Sequence, residues 1–326
     1  MGPSSMPNIP LTASNGAKGQ RYFGGGTRII KRFKKEWPLH LLILPAFIVT
    51  LIFSYGPMYG LIMAFQNFNP ARGFTGSEWI GLDNFRWLFA QEAFRRTIPN
   101  TLFISMGKII LGTLASVIFA LLLNEIRINS LKRVFQTIVY IPNFISWVVM
   151  AGVLQTILAS DGIVNVLLNA VGISSVPFLT DQSIFPWTMI WTDVWKTFGF
   201  GTVVYLATIT SMDPGMYESA AIDGAGRFKQ VMKITLPLMG PIIVLMVTLA
   251  LGNVLNAGFD QIFNLYAPIV YPTGDIIDTY LFRVSFTGMP QFSVGAAVGL
   301  MRSFVSMILI SVSLWVAYKV AGYRVF

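Results

Sequence analysis

The chain has 326 residues, of which 54 % are hydrophobic and only 11 % charged, against about 25 % charged in an ordinary soluble protein. At a mean hydropathy of +0.65 most of its surface must face lipid, and with no cysteine and a single histidine, His40, disulfide frameworks, thiolate chemistry and histidine-rich metal centres are excluded. The net charge of +9 fits the Lys and Arg that collect in cytoplasmic loops of membrane proteins better than it fits a nucleic-acid partner.

Residues 1–36 read as a flexible cytoplasmic tail. Gly, Ser, Asn and Pro dominate 1–30 without an apolar period, and Lys31, Arg32, Lys34 and Lys35 anchor the start of the first span. The tail is not a secretory signal, because the apolar run from Leu41 is too long for one and no cleavage site follows. Residues 37–326 form one membrane domain. Six stretches can cross a bilayer, at roughly 39–65, 98–123, 135–159, 185–208, 240–262 and 292–320. His40 reads as an interfacial residue. The fourth stretch is the least apolar, since it carries Asp193 and Lys196.

Fifteen Lys and Arg fall in the tail, loops 124–134 and 209–239 and the C-terminus, against five in the opposite loops. This asymmetry places both termini in the cytoplasm and loops 66–97, 160–184 and 263–291 outside. The expected fold is therefore all-α and integral to the membrane, with six transmembrane helices.

Four charges fall near mid-membrane: Lys108, Asp193, Lys196 and Arg302. At 1.5 Å per residue each lies roughly 12–17 Å deep, close to the midplane, where transporter sites tend to lie. Intramembrane charge is expensive and points to function. Together the four sum to +2, which suits an anionic sugar. The structural alternatives are that Asp193 and Lys196, three residues apart, neutralise each other, and that Lys108 snorkels or contacts a partner chain. Trp187, Trp191 and Trp195 recur every four residues on one helix face. Indoles stack on sugar rings and donate through their N–H. Trp187 also fits an interfacial aromatic belt, for which Trp195 lies too deep. Asp260 can contact substrate, contact a docked protein, or cap a helix.

Loop 209–239 is built as a device rather than a connector. Asp213-Pro214 is a helix start, with a capping carboxylate and then proline at the first helical position. Gly224 and Gly226 stop that helix, and a second short helix, about 227–235, ends before Pro237. Glu218 and Asp223 can pair with a partner's Arg, and small residues beside them allow close approach.

The spacing Glu218-Ser219-Ala220, Gly224, Ile234-Thr235-Leu236-Pro237 resembles the EAA signature of bacterial ABC-importer permeases, with Ser219 where alanine is usual. In that family this loop forms a coupling helix seated in a cleft of the ATP-binding subunit. The resemblance implies contact through Glu218, Ser219, Ala220, Asp223, Gly224, Leu236 and Pro237. The stretches Tyr55–Gly60, Asn100–Leu102, Leu122–Ile126, Tyr140–Trp147, Gly258–Gln261 and Ala297–Leu300 are similar to LplB-type polysaccharide and oligosaccharide permeases, and within that group to one half of the alginate-oligosaccharide importers. The resemblance implies a type I importer fold in a bacterial cytoplasmic (inner) membrane. Its implied partners are a second permease in a heterodimer, two ATP-binding cassette subunits and an extracytoplasmic solute-binding protein. The mid-membrane charges, the tryptophan face and the place of Asp260 make Lys108, Trp191, Asp193, Trp195, Lys196, Asp260 and Arg302 the expected substrate path.

The sequence contains no phosphate-binding G-x-x-x-x-G-K-[ST] segment, so ATP and its magnesium are expected on partner subunits and no cofactor or metal on this chain. No catalytic set is expected either, since paired carboxylates and nucleophile–base pairs are lacking, which argues against a membrane enzyme. An ion-coupled carrier would need intramembrane carboxylates, of which only Asp193 is clear. A permease for another polar solute is the remaining alternative.

Overall fold

A computed structural model describes residues 25–321 except Met289, and the chain divides into two compact units, 1–59 and 60–326. In the first unit the described residues form α1 (Gly25–Thr50) and a π turn, Leu51–Tyr55, followed by the start of the 3-10 helix Gly56–Phe65. The helical path over Glu36–Phe65 is a candidate span whose apolar window has no buried residue. Leu42 and Phe53 are among its exposed side chains, as expected of a segment solvated by lipid. The expected tail, 1–36, falls outside the described residues up to Phe23 and Gly24; α1 is already helical from Gly25.

The second unit opens on a small antiparallel pair, β1 (Gln66–Asn67) with β2 (Glu78–Trp79), in which Gln66 faces Trp79. Between them lies α2 (Gly73–Gly76). Then come α3 (Asp83–Ala90), α4 (Glu92–Glu125), α5 (Asn129–Phe144), α6 (Trp147–Ile157), α7 (Ile163–Ala170) and α8 (Phe185–Thr210). They are followed by α9 (Pro214–Ile222), α10 (Arg227–Gln230), a π turn Val231–Thr235, and α11 (Leu236–Gly252). The chain closes with α12 (Phe259–Leu265), α13 (Tyr271–Gly274), α14 (Ile277–Phe286) and α15 (Phe292–Ala321).

Helices α4 and α8 make the most extensive helix contact and form the centre of this unit. One apolar cluster joins Ile104 to Met189, Ile190 and Val194, and a second, toward the end of both helices, joins Val117, Ala120 and Leu123 to Tyr205, Leu206 and Met239. A third packs Phe94 against Val254, Ile277, Tyr280 and Val298. Burial on this scale explains why α8 reads as the least apolar stretch: Thr188, Lys196 and Thr202 face protein rather than lipid.

Among the described residues, four helices are long and apolar enough to cross a membrane, over Glu36–Phe65, Glu92–Glu125, Arg227–Gly252 and Phe292–Trp315, and α5 with α6 makes a fifth if that bent pair counts as one span. Two expected spans are not single helices. The stretch 135–159 breaks between α5 and α6 with a bend of 104°. Pro142 ends the regular ladder, Ile145 is extended, and Ser146 caps the next helix by accepting from Val149 N, so the break has ordinary proline and N-cap chemistry. The stretch 240–262 ends at Gly252. Asn253 to Gly258 form a turn, with Gly258 at φ +89, before α12 begins. Only glycine takes that backbone shape without strain. The helix expected at 227–235 does not stop before Pro237. The π turn carries it into α11, Leu236 N reaching Val231 O. A π turn shifts the backbone pairing just where Pro237 supplies no N–H.

Candidate functional site

Two places gather the residues singled out by the sequence. The first is the loop after α8. Asp213 Oδ1 accepts from Gly215 N at 2.9 Å and Pro214 follows it, which starts α9. The helix ends in a paired C-terminal cap, with Gly224 N donating to Ala221 O at 3.0 Å and Ala225 N to Ala220 O at 2.8 Å. Gly224 takes φ +73 for this, the left-handed shape that such a cap requires. Gly226 has an ordinary φ of −66 and instead caps α10. No residue of α9 is buried.

Glu218 and Asp223 are exposed, as is Ser219, whose hydroxyl is satisfied locally by donating to Gly215 O at 2.9 Å. Ala220 is half-buried. Ile222 and Phe228 expose 87 % and 79 % of their surface, more than any other large apolar side chain among the described residues. Two contacts tie the loop to long helices. Tyr217 Oη lies 3.0 Å from Thr235 Oγ1, next to Leu236 and Pro237 at the start of α11. Arg227 pairs with Glu125 at the end of α4.

The second place is a polar tier inside the unit. Lys108 on α4 donates to Ala257 O at 2.7 Å and to Gln261 Oε1, and lies 3.5 Å from Asp193 Oδ1 on α8. Gln261 Nε2 in turn donates to Met189 O and Thr192 Oγ1, both at 2.8 Å. The network closes the turn between α11 and α12 onto α4 and α8. Asp193 therefore pairs with Lys108, not with Lys196 as its helical spacing suggested. Lys196 donates to Asn143 O at 3.1 Å and lies 5.1 Å from the Trp147 ring centre. It is 6 % exposed and has no ion pair among the described residues.

Arg302 on α15 lies 2.6 Å from Asp278 Oδ1 on α14. The sum of +2 expected at the midplane is thus reduced: two of three cations have carboxylate partners, and Lys196 is the cation that does not. Trp187, Trp191 and Trp195 all stand half-exposed on one face of α8, with Trp187 edge-on to Phe103 at 5.2 Å. They do not join the tier. Asp260 is exposed in the first turn of α12 rather than at the end of a long span.

A pocket of about 470 Å³ brings Asp260, Asp278 and Arg302 together with Trp147, Phe282 and Phe286. Sequence reasoning missed Trp147, Gln261, Asp278 and the two phenylalanines as site residues. Asp278 and Phe282 lie in what reads as an outer loop, and only the return of α14 against α15 brings them to Arg302. Trp147 had a signal, since Ser146 before it is a good helix cap.

The family model for the binding-protein-dependent transport system inner membrane component matches residues 112–321. The chain belongs to this family. Among its relatives, protein LplB of Bacillus subtilis (strain 168) is 35 % identical over 297 residues, covering 91 % of this chain and 93 % of LplB. The polygalacturonan/rhamnogalacturonan transport system permease protein YteP of the same organism is 36 % identical over 292 residues, 89 % of this chain and 90 % of YteP. A chain of a bacterial ABC transporter involved in the import of the acidic polysaccharide alginate superposes with a TM-score of 0.82 at 37 % identity, over 90 % of this chain and 99 % of that chain. A chain of the bacterial alginate transporter in complex with alginate pentasaccharide-bound periplasmic protein gives a TM-score of 0.83 at 36 % identity, over 91 % and 100 %. The matched segment 112–321 includes the loop around Glu218 and every member of the polar tier except Lys108.

Proposed function

We propose that this chain is a transmembrane subunit of an ATP-driven, binding-protein-dependent importer of oligosaccharides, acidic ones such as alginate oligomers among them. The observation that carries the reading is the likeness, through nearly the whole chain, to permeases of an alginate importer. The geometry of α9 supports it. This helix is capped at both ends yet has no fully buried residue, which is what a surface held ready for a partner looks like. Charged Glu218 and Asp223, small Ser219 and Ala220 and exposed Ile222 supply a contact for an ATP-binding subunit. Displacement of α9 then passes to α11 through Tyr217 and Thr235, near Leu236 and Pro237, and to α4 through Arg227 and Glu125.

ATP and magnesium belong to two such partner subunits. A second permease completes the enclosure as a heterodimer, and an extracytoplasmic binding protein delivers the sugar. On this reading the chain lies in a bacterial cytoplasmic membrane with six crossings, namely the four long helices, the bent pair α5–α6 and α8, and with both termini in the cytoplasm. Trp191 and Trp195 offer stacking faces to the sugar, Lys196 an unneutralised cation, and Asp260 and Arg302 polar contacts further along the path. Lys108 and Asp193 hold the helices that frame it. Alternating access follows when the subunit's two arrangements bind the partners differently.

An ion-coupled carrier is disfavoured because Asp193, its one clear intramembrane carboxylate, already faces Lys108. The test is uptake of alginate oligomers by proteoliposomes holding the full assembly. ATP-dependent uptake, unaffected by collapse of ion gradients, supports the importer. Uptake that needs a gradient and ignores ATP overturns it. Because the chain has no cysteine, Ser174→Cys and Ala225→Cys, made singly, test the orientation: reagents should label them from opposite sides of the membrane.

A further inference from the structure

The ion pairs formed by α14 differ in kind. Asp275 is clamped: Arg283 reaches both of its oxygens, Thr279 Oγ1 donates to Oδ1 at 2.7 Å, and the Arg283 guanidinium stacks on Tyr271 at 4.2 Å. Asp278, three residues on, meets Arg302 through one close contact of 2.6 Å, and this Oδ1, buried from solvent, accepts no aligned hydrogen bond. A carboxylate is worth most to an arginine when both oxygens engage the planar fork. The Asp278–Arg302 contact falls short of that, and it faces the pocket walled by Trp147, Phe282 and Phe286, with Asp260 at its edge.

We propose that this pocket takes a uronate ring of the substrate and that Asp278 acts as a resident competitor for Arg302, occupying the guanidinium until the sugar carboxylate replaces it. The inference rests on the acidic-oligosaccharide importer reading above. Aromatic walls suit the C–H face of a pyranose ring, and the vacated guanidinium offers two parallel donors to its carboxylate. The competitor has a use. A transport site must bind firmly enough to load and weakly enough to release, and a carboxylate that returns to Arg302 favours release. Asp278 is thus an affinity-setting residue, not a group that touches the sugar while it is bound.

The experiment uses the complete importer in proteoliposomes, with a uronate trisaccharide and its methyl ester as probes. Asp278→Asn removes the competing charge. It should lower the half-saturating concentration for the acid by roughly tenfold, the scale of one charged hydrogen bond, while lowering maximal turnover because release slows. The ester should change by less than about twofold, since it presents no carboxylate to Arg302. Equal shifts for acid and ester, or weaker use of the acid, overturn the proposal. If Asp278→Asn does not assemble, Asp260→Asn decides: removing that exposed negative charge from the pocket rim must favour the acid over the ester, and no change in their ratio overturns the proposal. Wild-type importer that moves neither probe overturns the importer reading itself, a result distinguishable from failure of the variants alone.

Discussion

Replacing Gly224 with alanine alters backbone preference and almost nothing else. An added methyl group meets no atom within 4 Å, so no clash contributes. The cost is that of holding an L-residue at φ +73, about 1–2 kcal/mol. That is a factor of roughly 5–30 in the equilibrium between the capped loop and a frayed one. Fraying breaks the bonds from Gly224 N to Ala221 O and from Ala225 N to Ala220 O, and so releases Asp223 and Ile222 from their fixed directions. Hydrogen exchange reads the first effect: the amides of residues 224 and 225 in Gly224→Ala should exchange roughly 5–30 times faster. Substrate-stimulated ATPase of the assembled importer reads the second and should fall with it. Gly224→Asn should lie between the two, because asparagine tolerates the left-handed region better than alanine. Gly226→Ser is the control. Gly226 also has open space around it but sits at φ −66 as the cap of α10, where serine is welcome. Wild-type exchange and coupling in Gly224→Ala, or equal damage from Gly226→Ser, would refute the reasoning.

Lys108→Met should lower stability by about 3–5 kcal/mol, since it leaves the Asp193 carboxylate and Gln261 without their buried cation, and adding Asp193→Asn should recover part of the loss in thermal unfolding of the purified assembly. Tyr217→Phe removes the hydroxyl between Thr235 and Met212. The expected loss is about 0.5–1.5 kcal/mol, with ATP hydrolysis retained and transport per ATP reduced. In the loop before α8, Asp181 accepts from Ser183 N, Ser183 Oγ and Ile184 N. These bonds hold its carboxyl below the usual carboxylate range. A depressed value means stability present above the ordinary carboxylate pKa and lost as pH falls through the lowered one, so the difference in thermal midpoint between wild type and Asp181→Asn should be greatest at neutral pH and shrink in acid. A difference that grows on acidification would contradict it.

Local chemistry was legible in the sequence where it acts within a few residues. Asp213-Pro214 and Gly224 bound α9 where capping rules place it, and the long helices announced themselves by length and apolarity. The interruptions were written there too, in Pro142 and Ser146 and in Asn253, Asn256 and Gly258, but the surrounding apolar residues mask them in a hydropathy pattern. Helix α8 illustrates the converse: it is weakly apolar because α4 covers it. The partners of charged groups were not legible. Helical spacing pairs Asp193 with Lys196, three residues away, whereas the packing of α4 on α8 brings in Lys108 from 85 positions earlier. Asp278 and Arg302 likewise meet only because α14 folds back along α15.

On the proposed reading, α9 is the element through which ATP-binding subunits drive transport. Purification of the tagged chain from its native membrane, followed by ATPase assay with and without acidic oligosaccharide, tests that most directly. Recovery of a second permease and an ATP-binding subunit, with sugar-stimulated hydrolysis that Glu218→Lys uncouples, is the predicted result. A chain that purifies without any ATP-binding partner, or a Glu218→Lys assembly with unchanged sugar-stimulated hydrolysis, would contradict it.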